Sequence, residues 1–279
     1  TRIHRFNGYS FNQWWLIGAP YNYFFSTHMV PFHGLISAHR MFSSMCDLFG
    51  MSCNDADRAT RSLRRFAEYA RRNADGWGIG WYEDGQARVE RAPERGDLDS
   101  RYWTTMEEAR SDVLIAHLRF STGGGIHECN CHPFVRQHRG RDWMLAHNGW
   151  VSGAEDHPGS SGSTDSEQIF HQIMDKVAEY QESGGIKGLY PALKSAIKCV
   201  FDQYGRGVKL NLLISDGRTL YAFHHYPGKP IYMLRRSKEY GGAVVVSTQR
   251  LSEEDWEPIP NNRLLSINGG EVQVMSSVI

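Results

Sequence analysis

The sequence predicts an α+β layered sandwich, and three observations predict it. Short strand-like runs come first, two amphipathic helices follow, and strand-like runs then return, whereas alternating βαβ units would interleave the two kinds. Hairpin signals punctuate the runs at Glu83-Asp84-Gly85 and Asp216-Gly217. From residue 46 onward 234 residues remain, enough for one large domain with a sizeable core.

Taken in order, residues 46–52 read as a strand, and Asn54 or Asp55 is predicted to cap a helix carrying Leu63, Phe66, Ala67 and Ala70 at helical spacing. Residues 76–82 and 86–91 form a predicted hairpin, and the apolar runs 112–120 and 142–148 add two more strands. A helix begins at Ser163-Thr164-Asp165-Ser166-Glu167, with Ile169, Phe170, Ile173, Met174 and Val177 on one stripe. A second has Leu189, Leu193, Ala196, Ile197 and Val200. Four short strands follow, over 211–215, 219–223, 231–234 and 243–247.

Residues 1–45 differ in kind from the remainder. They hold 11 aromatic side chains and no acid, while the rest carries all 31 acidic residues. Asn12-Gln13 and Pro20-Tyr21-Asn22 interrupt any signal-peptide core, and nothing there approaches the ~20 apolar residues of a membrane span. The expectation is an atypical N-terminal extension over 1–45, either an upstream stretch or a removable propeptide, ahead of one domain at 46–279. A net charge of zero argues against nucleic acid as a partner. Five irregularly spaced cysteines are not a disulfide framework, so a cytoplasmic setting is expected. His127, Cys129, Cys131, His132 and His138 cluster in sequence but lack the paired spacing of a structural zinc site, and neither a metal nor a cofactor is expected.

Cys46 lies directly behind Met45 and leads an apolar strand. A cysteine exposed as an N-terminus unites nucleophile and base, because its α-amine has an ordinary pKa of about 7.7–8.0. Three further groups could serve it. Arg119 ends an apolar strand and can fork onto a carboxylate, or face solvent as an ion-pair partner. Asn148-Gly149 can supply two N–H donors to an oxyanion, or form a tight turn. Asp165 can receive an ammonium group, or merely favour its helix N-terminus.

Met45-Cys46-Asp47-Leu48-Phe49-Gly50-Met51-Ser52, Asp75-Gly76-Trp77-Gly78, Ala116-His117-Leu118-Arg119, His132-Pro133-Phe134, Ala146-His147-Asn148-Gly149 and Thr164-Asp165-Ser166-Glu167 together resemble a class-II (N-terminal nucleophile) glutamine amidotransferase. The resemblance implies a four-layer αββα sandwich. It implies Cys46 as nucleophile, Asn148 and Gly149 as the oxyanion hole, Arg119 on the substrate α-carboxylate, Asp165 on its α-amine, and His132 as a shaping residue. The implied substrate is glutamine or a γ-glutamyl small molecule. About 100 residues follow the matched region and read as more of the sandwich, so the chain is similar to stand-alone members such as γ-glutamyl hydrolases of glutathione breakdown. Some of these work with a separate acceptor subunit. Phe120-Ser121-Thr122-Gly123 departs from the Trp-Ala-Thr-His of fused synthases, which leaves the leaving-group wall open. The competing expectation is a non-catalytic or autoinhibited subunit, with the Cys46 nitrogen locked in a peptide bond.

Overall fold

The computed structural model describes residues 46–205, 207–237 and 242–279, and the expectations for residues 1–45 lie outside the described residues. The first strand, β1 (Asp47–Asp57), leads to α1 (Thr60–Ala67), the hairpin β2 (Gly76–Glu83) and β3 (Gln86–Ala92), α2 (Ser100–Glu108) and β4 (Ser111–Arg119). Then come β5 (Phe134–His138), β6 (Arg141–Trp150), the helical pair α3 (Asp165–Glu182) and α4 (Leu189–Tyr204), and β7 (Lys209–Ser215) with β8 (Thr219–His225). The chain finishes with β9 (Tyr232–Arg236), β10 (Ala243–Ser247), β11 (Glu257–Pro258), β12 (Arg263–Asn268) and β13 (Glu271–Met275).

The strands form two antiparallel sheets. One has the order β11-β9-β10-β1-β4-β2-β3 and the other β13-β12-β8-β7-β6-β5. Because successive strand side chains point to opposite faces, a strand buried on both sides reads as a continuous apolar run. In β1, Phe49 and Met51 face one buried cluster with Leu63 and Phe66 of α1 and Tyr102 and Met106 of α2. Leu48, on the opposite face, joins Met144, Ala146, Leu213 and Leu220 between the sheets. Beyond the second sheet, Leu212, Ile214 and Phe223 pack on Ile169, Phe170 and Ile173 of α3 and Leu193 and Ile197 of α4. Three apolar layers separate four layers of secondary structure, which is the αββα sandwich.

Gly50 points into the intersheet layer, where a Cβ would lie 3.0 Å from Leu213 Cδ1 and 3.1 Å from Leu220 Cδ2. Its absence lets the sheets approach closely.

One helix start is corrected. Neither Asn54 nor Asp55 caps α1, because β1 runs on through both to Asp57, with a register shift against β4 between Ser52 and Asp57. Ala59 takes the N-cap position in a left-handed conformation (φ 53°), with no side-chain cap. The irregular strand carries the polar residues outward, and the helix starts five residues after Asp55. Among the described residues, no helix is long and apolar enough to cross a membrane.

Candidate functional site

Cys46 stands immediately before β1, the central strand of its seven-stranded sheet. Pairing of Asp47 with Leu118 brings the end of β4 alongside, so Cys46 meets Phe120 just beyond it. The thiol donates to the Phe120 carbonyl (3.2 Å) and accepts from the Phe120 N–H (3.3 Å). Burial pushes its pKa up to about 11, against the Phe120 N–H and the positive charges of Arg119 and Lys229, while Asp47 pushes it further up. The resting thiol is therefore protonated at neutral pH, and attack on a carbonyl requires a base.

Asn148 and Gly149 do not form a turn. They lie within β6, where Asn148 pairs with Asn211 and Gly149 with Leu210 of β7. Asn148 is fully buried and donates through Nδ2 to the Cys46 carbonyl (2.7 Å), using one of its two amide hydrogens. Gly149 is required sterically, since a Cβ would stand 1.8 Å from the Lys209 carbonyl oxygen and 2.6 Å from His147 Nε2. His147 itself donates from Nε2 to the Lys209 carbonyl (2.8 Å) and accepts at Nδ1 from Ser166 Oγ (2.9 Å). The carbonyl can only accept, which fixes this tautomer. Burial lowers the pKa of His147, consistent with a neutral ring that fastens β6 to the start of α3.

Arg119 is 3% exposed. Its Nη2 donates to Ser121 Oγ (3.2 Å) and the Gly123 carbonyl (3.0 Å), whereas Nη1 is buried with no hydrogen-bond partner. Asp75 shapes the same exit from β4, donating its N–H to the Arg119 carbonyl and accepting from the Ser121 N–H. Thr164 caps α3, accepting from the Glu167 N–H (3.3 Å). Asp165 follows in the first turn, its carboxylate receiving the N–H groups of Val151 (2.7 Å) and Ser166 (2.9 Å). Glu167 does not return to the cap but accepts from the Ser161 and Gly162 N–H groups, holding the preceding loop.

Cys46, Arg119, His132, Gly149 and Asp165 line one open cleft of about 250 Å³, just under the ~300–1,000 Å³ typical of sites for drug-sized ligands. Asn148 sits behind this wall and reaches the site through Cys46. A buried guanidinium with an unspent donor and a carboxylate at a helix N-terminus make the cleft bipolar. Such a cleft suits a ligand bearing both an anionic and a cationic group.

His132 is buried, and its ring lies 4.1 Å from that of His117 and 4.6 Å from that of Phe134. Neither nitrogen of His117 or His132 has a hydrogen-bond partner, and burial drives His117 down to about 3 and His132 well below its ordinary value. Both rings are neutral packing groups at neutral pH. His132 therefore shapes the wall. The sequence cluster around it is dispersed: Cys131 donates to the Ala92 carbonyl (3.3 Å), and His138 pairs with Gln181 (2.9 Å). Among the described residues, no group of three or more His, Cys, Asp or Glu side chains could hold a metal ion.

Sequence reasoning missed two residues that build this site. Asp47, fully buried, accepts from Asn73 Nδ2 (2.6 Å), Thr248 Oγ1 (2.8 Å) and Gln249 Nε2 (2.6 Å). Asn211 donates to Asn148 Oδ1 (3.1 Å) and accepts from His224 Nδ1 (2.7 Å). A polar residue inside an otherwise apolar strand run is the one local signal either carries.

The family model described as glutamine amidotransferases class-II matches residues 45–243. MJ1515, an uncharacterised protein of Methanocaldococcus jannaschii, is 28% identical over 82% of this chain and 70% of its own length. A γ-glutamyl-hercynylcysteine sulfoxide hydrolase of Mycobacterium tuberculosis is 26% identical over 70% of this chain and 76% of its own. The crystal structure of a predicted glutamine amidotransferase from Pseudomonas aeruginosa PA01 shares the fold, with a TM-score of 0.58, 24% identity, and coverage of 82% of this chain and all of that one.

Proposed function

Since this chain belongs to the class-II glutamine amidotransferases, we propose that it hydrolyses or transfers the γ-glutamyl amide bond of glutamine or a γ-glutamyl compound through a thioester on Cys46. The observation that carries this reading is the cleft in which the Cys46 thiol, the unspent Arg119 Nη1 and the Asp165 carboxylate meet. Arg119 takes the substrate α-carboxylate, Asp165 its α-ammonium, and the side chain of the glutamyl group reaches Cys46. The hydrolase name of the Mycobacterium tuberculosis relative favours γ-glutamyl substrates as a class.

In the proposed cycle the Cys46 α-amine, released by cleavage ahead of residue 46, removes the thiol proton as sulfur attacks the δ-carbonyl. The Gly149 N–H and the second Asn148 amide hydrogen receive the oxyanion. The C–N bond breaks, the amine or ammonia leaves with the proton, and water, deprotonated by the same α-amine, hydrolyses the thioester to glutamate. A free thiol is essential, so a reducing, cytoplasmic setting fits the chain, in which all five cysteines are unpaired.

The test joins mass analysis of the native chain to assays of glutamine and γ-glutamyl peptides, with and without cell extract. Turnover by protein beginning at Cys46, abolished in Cys46→Ala, is the expected result, and stimulation by extract would identify a separate acceptor subunit. Turnover that survives Cys46→Ala overturns the proposal. A native chain retaining residues 1–45 and lacking turnover supports instead a blocked subunit.

A further inference from the structure

Two hydrogen-bonded paths leave the Cys46 backbone in opposite directions and meet at one lysine. From the Cys46 carbonyl the first passes to Asn148 Nδ2 (2.7 Å), and from Asn148 Oδ1 to Asn211 Nδ2 (3.1 Å). Asn211 Nδ2 also donates to the backbone carbonyl of Lys229 (2.7 Å), so both of its amide hydrogens are spent. The second path starts at Asp47, covalently next to Cys46, whose Oδ1 lies 2.8 Å from Lys229 Nζ. Together they form a closed ring through Cys46, Asn148, Asn211, Lys229 and Asp47.

The ring is buried and built to stay shut. Asp47, Asn148 and Asn211 are fully buried, and the Lys229 side chain is 15% exposed. Breaking any link strands polar groups away from water, at a cost larger than that of one surface hydrogen bond. The Asp47 carboxylate also accepts from Asn73, Thr248 and Gln249, with Arg72 Nη2 at 3.6 Å, so it is pinned from two further chain segments.

We propose that Lys229 is a positioning residue for the Cys46 nucleophile: it closes a ring that holds Cys46 and the Asn148 amide in one register, and it offsets the Asp47 charge beside the thiol. Lys229 is not among the residues that line the cleft. Its ammonium and the Asp47 carboxylate act on the thiol with opposite sign, Lys229 favouring thiolate and Asp47 opposing it. Arg119 from β4 also favours thiolate, and the Phe120 N–H does the same. Asp156, Asp165 and the neutral His132 and His147 complete the ionisable groups that line the cleft.

This inference rests on the proposed Cys46 chemistry, and its test separates the two. Purified full-length chain, parent and variants, is alkylated with iodoacetamide across pH 7–11.5, and the labelled Cys46 peptide is quantified by mass spectrometry. That readout needs no turnover. Lys229→Met removes the cation, so the alkylation midpoint moves upward in pH; Asp47→Asn removes the anion, so it moves downward; Lys229→Arg restores the parent value. Opposite displacements cannot come from a merely loosened fold. In parallel, in protein beginning at Cys46, γ-glutamyl turnover by Lys229→Met falls roughly 10- to 100-fold in kcat with KM within about twofold, the signature of misplacement by an ångström or less. Lys229→Arg recovers most of it.

Displacement of both midpoints in the same direction, or none in Lys229→Met, overturns the inference. So does an unchanged kcat in Lys229→Met. Should Lys229→Met not fold, Lys229→Gln carries the same readings with the stem length kept. A parent beginning at Cys46 that cleaves no γ-glutamyl compound sinks the proposed function alone, because the alkylation series still decides the role of Lys229.

Discussion

At the scale of single residues, the proposed function divides the site into groups that touch substrate and groups that aim them. Asn148 is fully buried and spends one amide hydrogen on the Cys46 carbonyl; the proposed cycle gives the second to the oxyanion. Asn148→Ala is expected to lower kcat on the order of 100- to 1000-fold, the usual cost of one oxyanion donor, in steady-state assays of γ-glutamyl hydrolysis. The proposed function puts Arg119 in the first group, supported by its buried Nη1 without a partner. Arg119→Lys loses the planar fork, and a charge-assisted hydrogen bond of about 1.5–3 kcal/mol corresponds to a KM roughly 10- to 100-fold higher with kcat little changed. Equal losses in kcat and kcat/KM would instead assign the arginine to the transition state alone. Both residues were legible in the sequence as donors at strand ends or strand-turn pairs. Asp47 was not, because its partners lie up to 202 residues away and no local pattern announces them.

Secondary-structure elements carry the site by their ends. The start of β1, the end of β4, the end of β6 and the first turn of α3 converge because antiparallel pairing brings starts beside ends. Thr164 fixes the last of these, and its hydroxyl accepts from the Glu167 N–H. Thr164→Ala is expected to cost about 1 kcal/mol in denaturant unfolding. It also raises KM, since Asp165 is placed by the same turn. A stability loss with KM unchanged would show that Asp165 is anchored by Val151 and Ser166 alone.

The sequence made the strongly periodic elements plain, including α3, α4, the β2–β3 hairpin and the core strands β7, β8 and β10. It missed α2, whose nine residues bury Tyr102, Thr105 and Met106 but expose a mixed face with weak periodicity. It also missed β5, β12 and β13; the last is a sheet edge with four of its five residues exposed, so burial imposes little pattern on it. Taken alone, Asn148-Gly149 reads more readily as a turn, since local chemistry cannot tell a tight turn from a strand glycine crowded by a neighbouring carbonyl.

For the whole molecule, three apolar layers divide the work. The middle layer, between the sheets, holds the two halves of the site together because one half hangs on each sheet. Cys46 and Arg119 belong to the first sheet, Asn148 and Gly149 to the second. Leu213 is fully buried in that layer, within reach of Gly50. Leu213→Ala is expected to cost about 2–5 kcal/mol in stability, measured by denaturant unfolding. A loss near the lower end would indicate that the layer closes over the gap. The sandwich itself was legible from element order, whereas the partition of the site between two sheets required the pairing.

The central place of β1 also governs how this protein fails. A terminal strand at a sheet edge frays, but β1 is fourth of seven, paired on both sides, with both faces covered. Its amide hydrogens over residues 48–52 are expected to exchange with deuterium only through global opening, at the slowest rate in the chain. Exchange there through small local openings would refute this. Loss of structure on heating then follows a single cooperative melt, with no earlier softening around Cys46, so the cleft is either whole or lost.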